Sequence, residues 1–289
     1  RLCAWRRRLV IGDGDELAAG RDSGGIWGEA GSGQGAFCLF FQPKVALGAR
    51  SLVGFEALLR WCHPTRGVLL PQDFAGLLAD PGTAEWIDLW VLQAAVGQLA
   101  AWRRAGFRTS VSVNVSPHAL RRAGLCGYLQ GLFARSSEVS PLDLELEILE
   151  TALIAPLAQV RAQIERCAAG GIRFALDDFG TGFSSLSHLK CLPVGSLKID
   201  RSFVAGMVDD EQDRAIVAGV LGLGHAFHHT VVAEGVETAA QASLLAELGC
   251  DVIQGFCVAP PMPAEEVRAW AECFRFDDDW GVRRADVRV

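Results

Sequence analysis

From Phe37 onward the chain repeats one pattern, a short apolar run with the two-residue period of a strand followed by a longer run of helical period. Strand-like segments fall near residues 37–43, 52–60, 109–115, 142–149, 172–177, 196–200, 230–234 and 251–256. Helical stretches lie between them, such as Thr83–Ala105, Pro156–Ala169, Asp209–His228 and Ala239–Leu248. This alternation predicts an α/β fold with a mainly parallel sheet. Eight strands in about 240 residues predict closure into a TIM-type (β/α)8 barrel.

The strand faces agree. Val111, Val113 and Val115 alternate with Ser110, Ser112, Asn114 and Ser116, so one face is apolar and the other small and polar. In a barrel the apolar face meets the helices. Leu144, Leu146 and Ile148 likewise alternate with Glu145 and Glu147, which places carboxylates inside. The late positions of the strands carry Glu56, Asn114, Glu147, Asp177 with Asp178, Lys198, Glu234 and Gln254. Each alone reads equally well as a strand-end cap or a solvated charge. Closing the barrel brings all of them to the C-terminal rim, where barrel active sites sit.

The pair Asp177-Asp178 opens a strand-to-helix loop, Asp177 to Leu186, in which Ser184 is a candidate helix cap. Two carboxylates ~4 Å apart repel by about 4 kcal/mol at an effective dielectric of ~20, so a cation must offset them. Oxygen donors without sulfur or imidazole select Mg²⁺ or Mn²⁺. Two such ions and Lys198 would balance five carboxylates. One shared carboxylate, most simply Asp177, could bridge metals ~3.5–4 Å apart, a spacing suited to in-line displacement at phosphorus.

Composition narrows the classes. The 289 residues are 50% hydrophobic and 21% charged, enough for a full core. A net charge of -7 argues against a DNA or RNA polymer as partner, while leaving room for one small phosphate ligand. Nine scattered cysteines without a C-x-x-C pair predict small core residues in a reducing compartment rather than a disulfide framework. No apolar run reaches the ~18–20 residues of a membrane span, which predicts a cytoplasmic location for this stretch even if a fuller protein is membrane-attached upstream. Residues 1–35 read as a glycine-rich linker or the remnant of an upstream region, 36–275 as the barrel, and 276–289 as an acidic and basic tail. His225, His228 and His229 read as surface or interface residues, and Trp86, Trp90 and Trp102 as core.

Phe41-Gln42-Pro43-Lys44, Glu56-Ala57-Leu58-Leu59-Arg60, Asn114-Val115-Ser116, Glu147 to Glu150, Asp177 to Leu186, Leu197-Lys198-Ile199-Asp200, Ala233 to Glu237 and Gln254-Gly255-Phe256 resemble the EAL domain of bacterial cyclic di-GMP phosphodiesterases. The resemblance implies a modified TIM barrel whose first strand is antiparallel to the rest, and hydrolysis of cyclic di-GMP to linear pGpG. It implies one metal held by Glu56, Asn114, Glu147 and Asp177, and another by Asp177, Asp178 and Glu234. Lys198 would position the attacking water, Gln254 would help to hold the site, and Glu150 would anchor the Asp177–Leu186 loop. Gln42, Arg60 and Glu237 resemble substrate contacts. The resemblance also implies a homodimer and an upstream sensory or regulatory domain.

Some positions depart from the family pattern. Phe41, Phe183 and Phe256 stand where tyrosine is usual, Gly195 where aspartate is common, and Val258 to Pro261 replaces a segment that often carries lysine. These changes predict altered packing or affinity with the ligand set intact. Two rival functions remain at this point. One is a catalytically weak cyclic di-GMP receptor, which would usually lack a metal ligand or the Glu-Ala-Leu triplet. The other is an enolase-like enzyme with a lysine base, against which Asp177-Asp178 and Asn114 favour two metals.

Overall fold

The computed structural model describes residues 35–150, 157–180 and 186–280. Its strands are β1 (Ala36–Ala46), β2 (Ser51–His63), β3 (Gly67–Leu69), β4 (Val111–Val115), β5 (Leu144–Leu149), β6 (Arg173–Phe179), β7 (Ser196–Ile199), β8 (Thr230–Ala233), β9 (Val252–Gln254) and β10 (Met262–Pro263). From β2 through β4, β5, β6, β7 and β8 to β9 every neighbour is parallel. β1 closes the ring, antiparallel to β2 on one side and to β9 on the other. The result is an eight-strand mixed barrel, with β3 and β10 added outside it on β2 and β1.

All eight expected strand segments are present. β3 and β10, of three and two residues, are too short to show a period. The helices Leu125–Arg135 and Ala264–Cys273 also escaped the sequence pattern; Gly127 and Gly131 interrupt the first, and charged residues crowd the second. Ser184, Phe183, the tail beyond residue 280 and residues 1–34 lie outside the described residues.

The apolar faces of β4 and β5, including Val113, Leu144, Leu146 and Ile148, are fully buried. Burying a side chain of this size stabilises by about 1.5–3 kcal/mol. Against β4 packs the helix Pro81–Arg104, which starts where Asp80 accepts a hydrogen bond from Thr83 N at 2.8 Å and Pro81 supplies a pre-set φ. Its Trp102 meets the ring of Phe41 edge-on at 4.8 Å. The Phe41 ring therefore sits in the apolar layer, on the opposite face of β1 from Gln42.

Three local expectations are corrected. Cys38 and Cys62 pair as a disulfide across β1 and β2, because antiparallel neighbours bring their Cα atoms within 6.6 Å, a proximity no sequence spacing reveals. Of the free cysteines described, only Cys167 and Cys250 are buried. Trp86 is 37% exposed and meets Phe37 on the outside of the barrel, unlike buried Trp102. The run Asp277–Asp279 is not simply a solvated tail: it leads into buried Trp280, and Arg50 both pairs with Asp278 and covers the ring of Phe276.

Asp88, on the helix Pro81–Arg104, ties that helix to the end of β4 by accepting from Ser116 N at 3.1 Å. Burial pushes its carboxyl up to about 6, against the hydrogen bonds from Ser116. A carboxyl raised in the folded state gives its stability at low pH and loses it as pH rises through that value. Between about pH 4 and pH 8, the stability of Asp88→Asn should therefore gain on the wild type by about 1–3 kcal/mol. Parallel pH profiles in denaturant melts would contradict this assignment.

Candidate active site

Alternation along eight strands aims one set of polar side chains into the barrel. Lys198, on β7 and 1% exposed, stands at their centre. Its Nζ lies 2.6 Å from Glu147 Oε2, 2.5 Å from Glu234 Oε1, 3.1 Å from Asp177 Oδ1 and 3.9 Å from Glu56 Oε2. The Glu234 contact is an ion pair without hydrogen-bond geometry, and Glu234 Oε1 keeps no hydrogen-bond partner. Burial opposes the charge on Lys198, but the surrounding carboxylates outweigh it and hold the ammonium protonated well above its ordinary range.

Glu56 is fixed by amides on both oxygens, from Gln254 Nε2 at 2.6 Å and Asn114 Nδ2 at 2.7 Å. Gln254 Nε2 also reaches Gln42 Oε1 at 3.1 Å, and Gln42 Nε2 donates to Ala259 O at 3.1 Å. Gln254 is held against the Glu234 segment by a close backbone crossing. A Cβ at Gly255 would stand 2.1 Å from Val236 O, so only glycine permits it. Val236 N then bonds Gln254 O at 3.0 Å.

Asp177 and Asp178 are adjacent, so a regular strand would aim them at opposite faces. The backbone breaks that rule: Asp178 has φ 53°, and the β6–β7 register shifts between Leu176 and Phe179. A left-handed residue of this kind costs about 1–2 kcal/mol. Both carboxylates and that of Glu234 can thereby place one oxygen each within 4.8 Å of one another. Glu150, just past β5 and 4% exposed, accepts from Gly180 N at 3.3 Å and so reaches the loop that follows.

The carboxylates titrate unequally. Burial raises Glu56 to about 7, helped by Glu147 and offset by Lys198. Asp178 is raised to about 6 by burial and by its neighbours Asp177 and Asp200. Burial also raises Asp177 and Glu234. Glu147 goes the other way: Lys198 and Lys44 overcome the penalty of its burial and hold it at about 2. The mouth thus has more carboxylates than its ammonium groups can balance.

Lys44 and Asp200 appear in the sequence motifs without an assigned part. Lys44 Nζ lies inside the barrel, 2.8 Å from Ser112 Oγ, 3.2 Å from Glu145 Oε2 and 3.4 Å from Glu147 Oε1. Ser196 Oγ completes this lower layer by donating to Glu145 Oε1 at 2.9 Å. For Lys44, the two-residue offset from Gln42 along β1 was the available signal. Asp200, at the end of β7, caps the next helix through Ser202 N at 3.0 Å and faces Asp178.

A cleft of about 280 Å³ opens above the site, lined in part by Gln42, Glu56, Leu58, Glu234, Glu237 and Phe256. Arg60 is not in that lining; it lies two residues beyond Leu58 on the same face of β2, donates to Leu59 O at 2.8 Å and stands 5.7 Å over the ring of Phe40. The donor set is fit for a hard divalent cation: it is all oxygen, and Gln254 Oε1 and Glu234 Oε1 are buried acceptors without hydrogen bonds.

A family model described as the EAL domain matches residues 29–261. The bifunctional diguanylate cyclase/cyclic di-GMP phosphodiesterase MucR of Pseudomonas aeruginosa is 39% identical over 232 residues, covering 80% of this chain and 34% of that protein. The cyclic di-GMP phosphodiesterase NbdA of the same organism is 36% identical over 240 residues, covering 83% of this chain and 30% of its own length. The chain thus spans about a third of the curated relatives it matches. Among solved structures, the MucR phosphodiesterase in complex with c-di-GMP superposes with a TM-score of 0.76 at 39% identity, covering 80% of this chain and 94% of that one. The EAL enzyme Bd1971, in a form bound to cAMP and cyclic-di-GMP, gives 0.77 at 29%, covering 81% and 64%.

The Glu150 contact predicts that Glu150→Ala leaves thermal stability near wild type but weakens Mn²⁺ binding at Asp177, Asp178 and Glu234 by about 10–100-fold, as loss of an outer-shell partner does. Calorimetric titration with Mn²⁺ measures this directly. Superimposable isotherms would show that the loop stands without Glu150.

Proposed function

The chain belongs to the EAL domain family, and on that premise we propose that it is a metal-dependent phosphodiesterase that opens cyclic di-GMP to linear pGpG. One observation carries the reading: a buried ammonium, Lys198, ringed by Glu56, Glu147, Asp177 and Glu234 at the barrel mouth, beside Asp178. Glu56, Asn114, Glu147 and Asp177 would hold one Mg²⁺ or Mn²⁺, and Asp177, Asp178 and Glu234 a second. Bound there, the ions supply Lewis acidity at phosphorus and lower the pKa of a bound water.

The chain's own groups do the rest. Lys198 keeps its proton and presents N–H donors at the centre of the carboxylates, where it can orient the attacking water. Glu147 stays ionised because two ammonium groups face it. Gln254 and Asn114 prevent Glu56 from rotating. Gln42, Arg60 and Glu237 are proposed as substrate contacts. Attack forms a new P–O bond and breaks P–O3′, and the departing 3′-oxygen takes a proton, which leaves the 5′-phosphate of pGpG.

The alternative, a receptor that binds without cutting, is not favoured, since Glu56-Ala57-Leu58, the six proposed ligands and Lys198 are all present. No described helix is long and apolar enough to cross a membrane. Our reading adds a cytoplasmic site of action, a homodimer and an upstream sensory or regulatory domain as proposals, with no DNA or RNA polymer as partner.

Incubation with cyclic di-GMP and Mg²⁺ should yield pGpG on chromatography. Excess EDTA should abolish turnover, and Ca²⁺ should inhibit it because its longer, looser coordination mis-spaces two ions on one phosphate. Full activity in EDTA would sink the reading. Lys198→Ala should lower kcat by roughly a hundredfold or more while substrate affinity, measured by calorimetry in Ca²⁺, stays near wild type. Loss of binding together with turnover would remove Lys198 from the role of orienting water.

A further inference from the structure

We infer that Arg201 reads the base of the substrate, a specificity role that rests on the cyclic di-GMP reading above. Arg201 lines the cleft beside Glu234 and Gly235, with Glu237 and Phe256 in the same lining. Among the described residues, neither the Arg201 guanidinium nor the Glu237 carboxylate makes an ion pair or a side-chain hydrogen bond, even with the other. Phe256 is 64% exposed, far more than a ring of that size needs for packing alone. A donor fork, an acceptor and an aromatic face therefore share one small space unspent.

The stem of Arg201 starts from a close backbone contact. Gly235 has φ +65°, and a Cβ there would lie 2.4 Å from Arg201 Cβ and 3.3 Å from its Cα. Glycine at 235 lets the stem of Arg201 pack directly on the Glu234–Val236 segment, which carries a proposed metal ligand. The base of the side chain is thus placed relative to the reacting centre, which spares part of the entropy of ordering it on binding.

Three features of guanine match the three groups. O6 and N7 are adjacent acceptors that take an arginine fork bidentately. N1–H and the 2-amino group are donors for a carboxylate. The ring face stacks on an aromatic side chain. A phosphate offers nothing to Glu237 or Phe256. Adenine presents a 6-amino donor next to N7, which would confront the donors of Arg201. The cleft therefore favours guanine, and Arg201 is the group that discriminates.

The test uses the whole chain with Mg²⁺, cyclic di-GMP as substrate and cyclic di-AMP as competing inhibitor. Arg201→Met should raise KM for cyclic di-GMP about tenfold or more with kcat within about threefold, and should narrow the preference over cyclic di-AMP by a similar factor. Arg201→Lys should not restore KM, because a point charge lacks the fork. Arg201 is exposed, so both variants should melt near wild type; Arg201→Gln serves as the readout if one does not. An unchanged KM and preference in Arg201→Met, with wild-type turnover intact, overturns the inference alone. Full rescue by lysine also overturns it, in favour of a phosphate contact. If the wild type neither cuts cyclic di-GMP nor binds it in Ca²⁺, the underlying reading fails and Arg201 loses its role with it.

Discussion

Charge balance inside the barrel is the constraint on which the rest depends. Among the described residues, Lys198 is the only ammonium within 4 Å of Asp177 and Glu234, and it also serves Glu56 and Glu147. Its burial is tolerable because these groups favour its charged form, and theirs is tolerable in part because of it. Burial first, and the excess of carboxylate over ammonium second, favour the protonated forms and raise Glu56 to about 7 and Asp178 to about 6. A site built this way is unfavourable without further counter-charge and would be balanced by hard cations.

Below the mouth, Lys44 with Glu145, Ser112 and Ser196 forms a second, nearly neutral layer. It meets the upper layer at Glu147, whose two oxygens face Lys198 and Lys44. The barrel interior is thus a stack of paired charges on β1, β2, β5, β6 and β7 rather than an apolar plug. The apolar residues lie outside, between sheet and helices, where Phe41, Phe55 and Trp102 pack. Stability and chemistry are separated by strand face, so the departures from tyrosine have unequal meaning: Phe41 belongs to the core, Phe256 to the cleft.

The rim also shows how the fold overrides regular geometry for the site. Asp178 adopts a left-handed backbone, and Gly255 admits a backbone crossing that no side chain would permit. Both distortions bring groups from β6, β8 and β9 to one place. Each is unfavourable locally and is held by neighbouring hydrogen bonds such as Val236 N to Gln254 O and Gly180 N to Glu150.

The sequence by itself determined the barrel and its polar rim, because strand and helix periods are local and a period of two assigns each residue to a face. Val113 and Leu146 outward and Glu147 inward were legible from three or four neighbours each. Motif resemblance carried the parts of Glu56, Asn114, Asp178, Glu234 and Gln254. What only the tertiary structure decided depends on partners far apart in the chain. Lys44 meets Glu145 across 101 residues, Gln254 meets Glu56 across 198, and Cys38 meets Cys62 only because β1 runs antiparallel to β2. The Arg201 stem against Gly235 and the place of Arg60 beyond the cleft lining are likewise matters of distance between strands. Local periodicity says which way a side chain faces; closure of the ring says what it finds there.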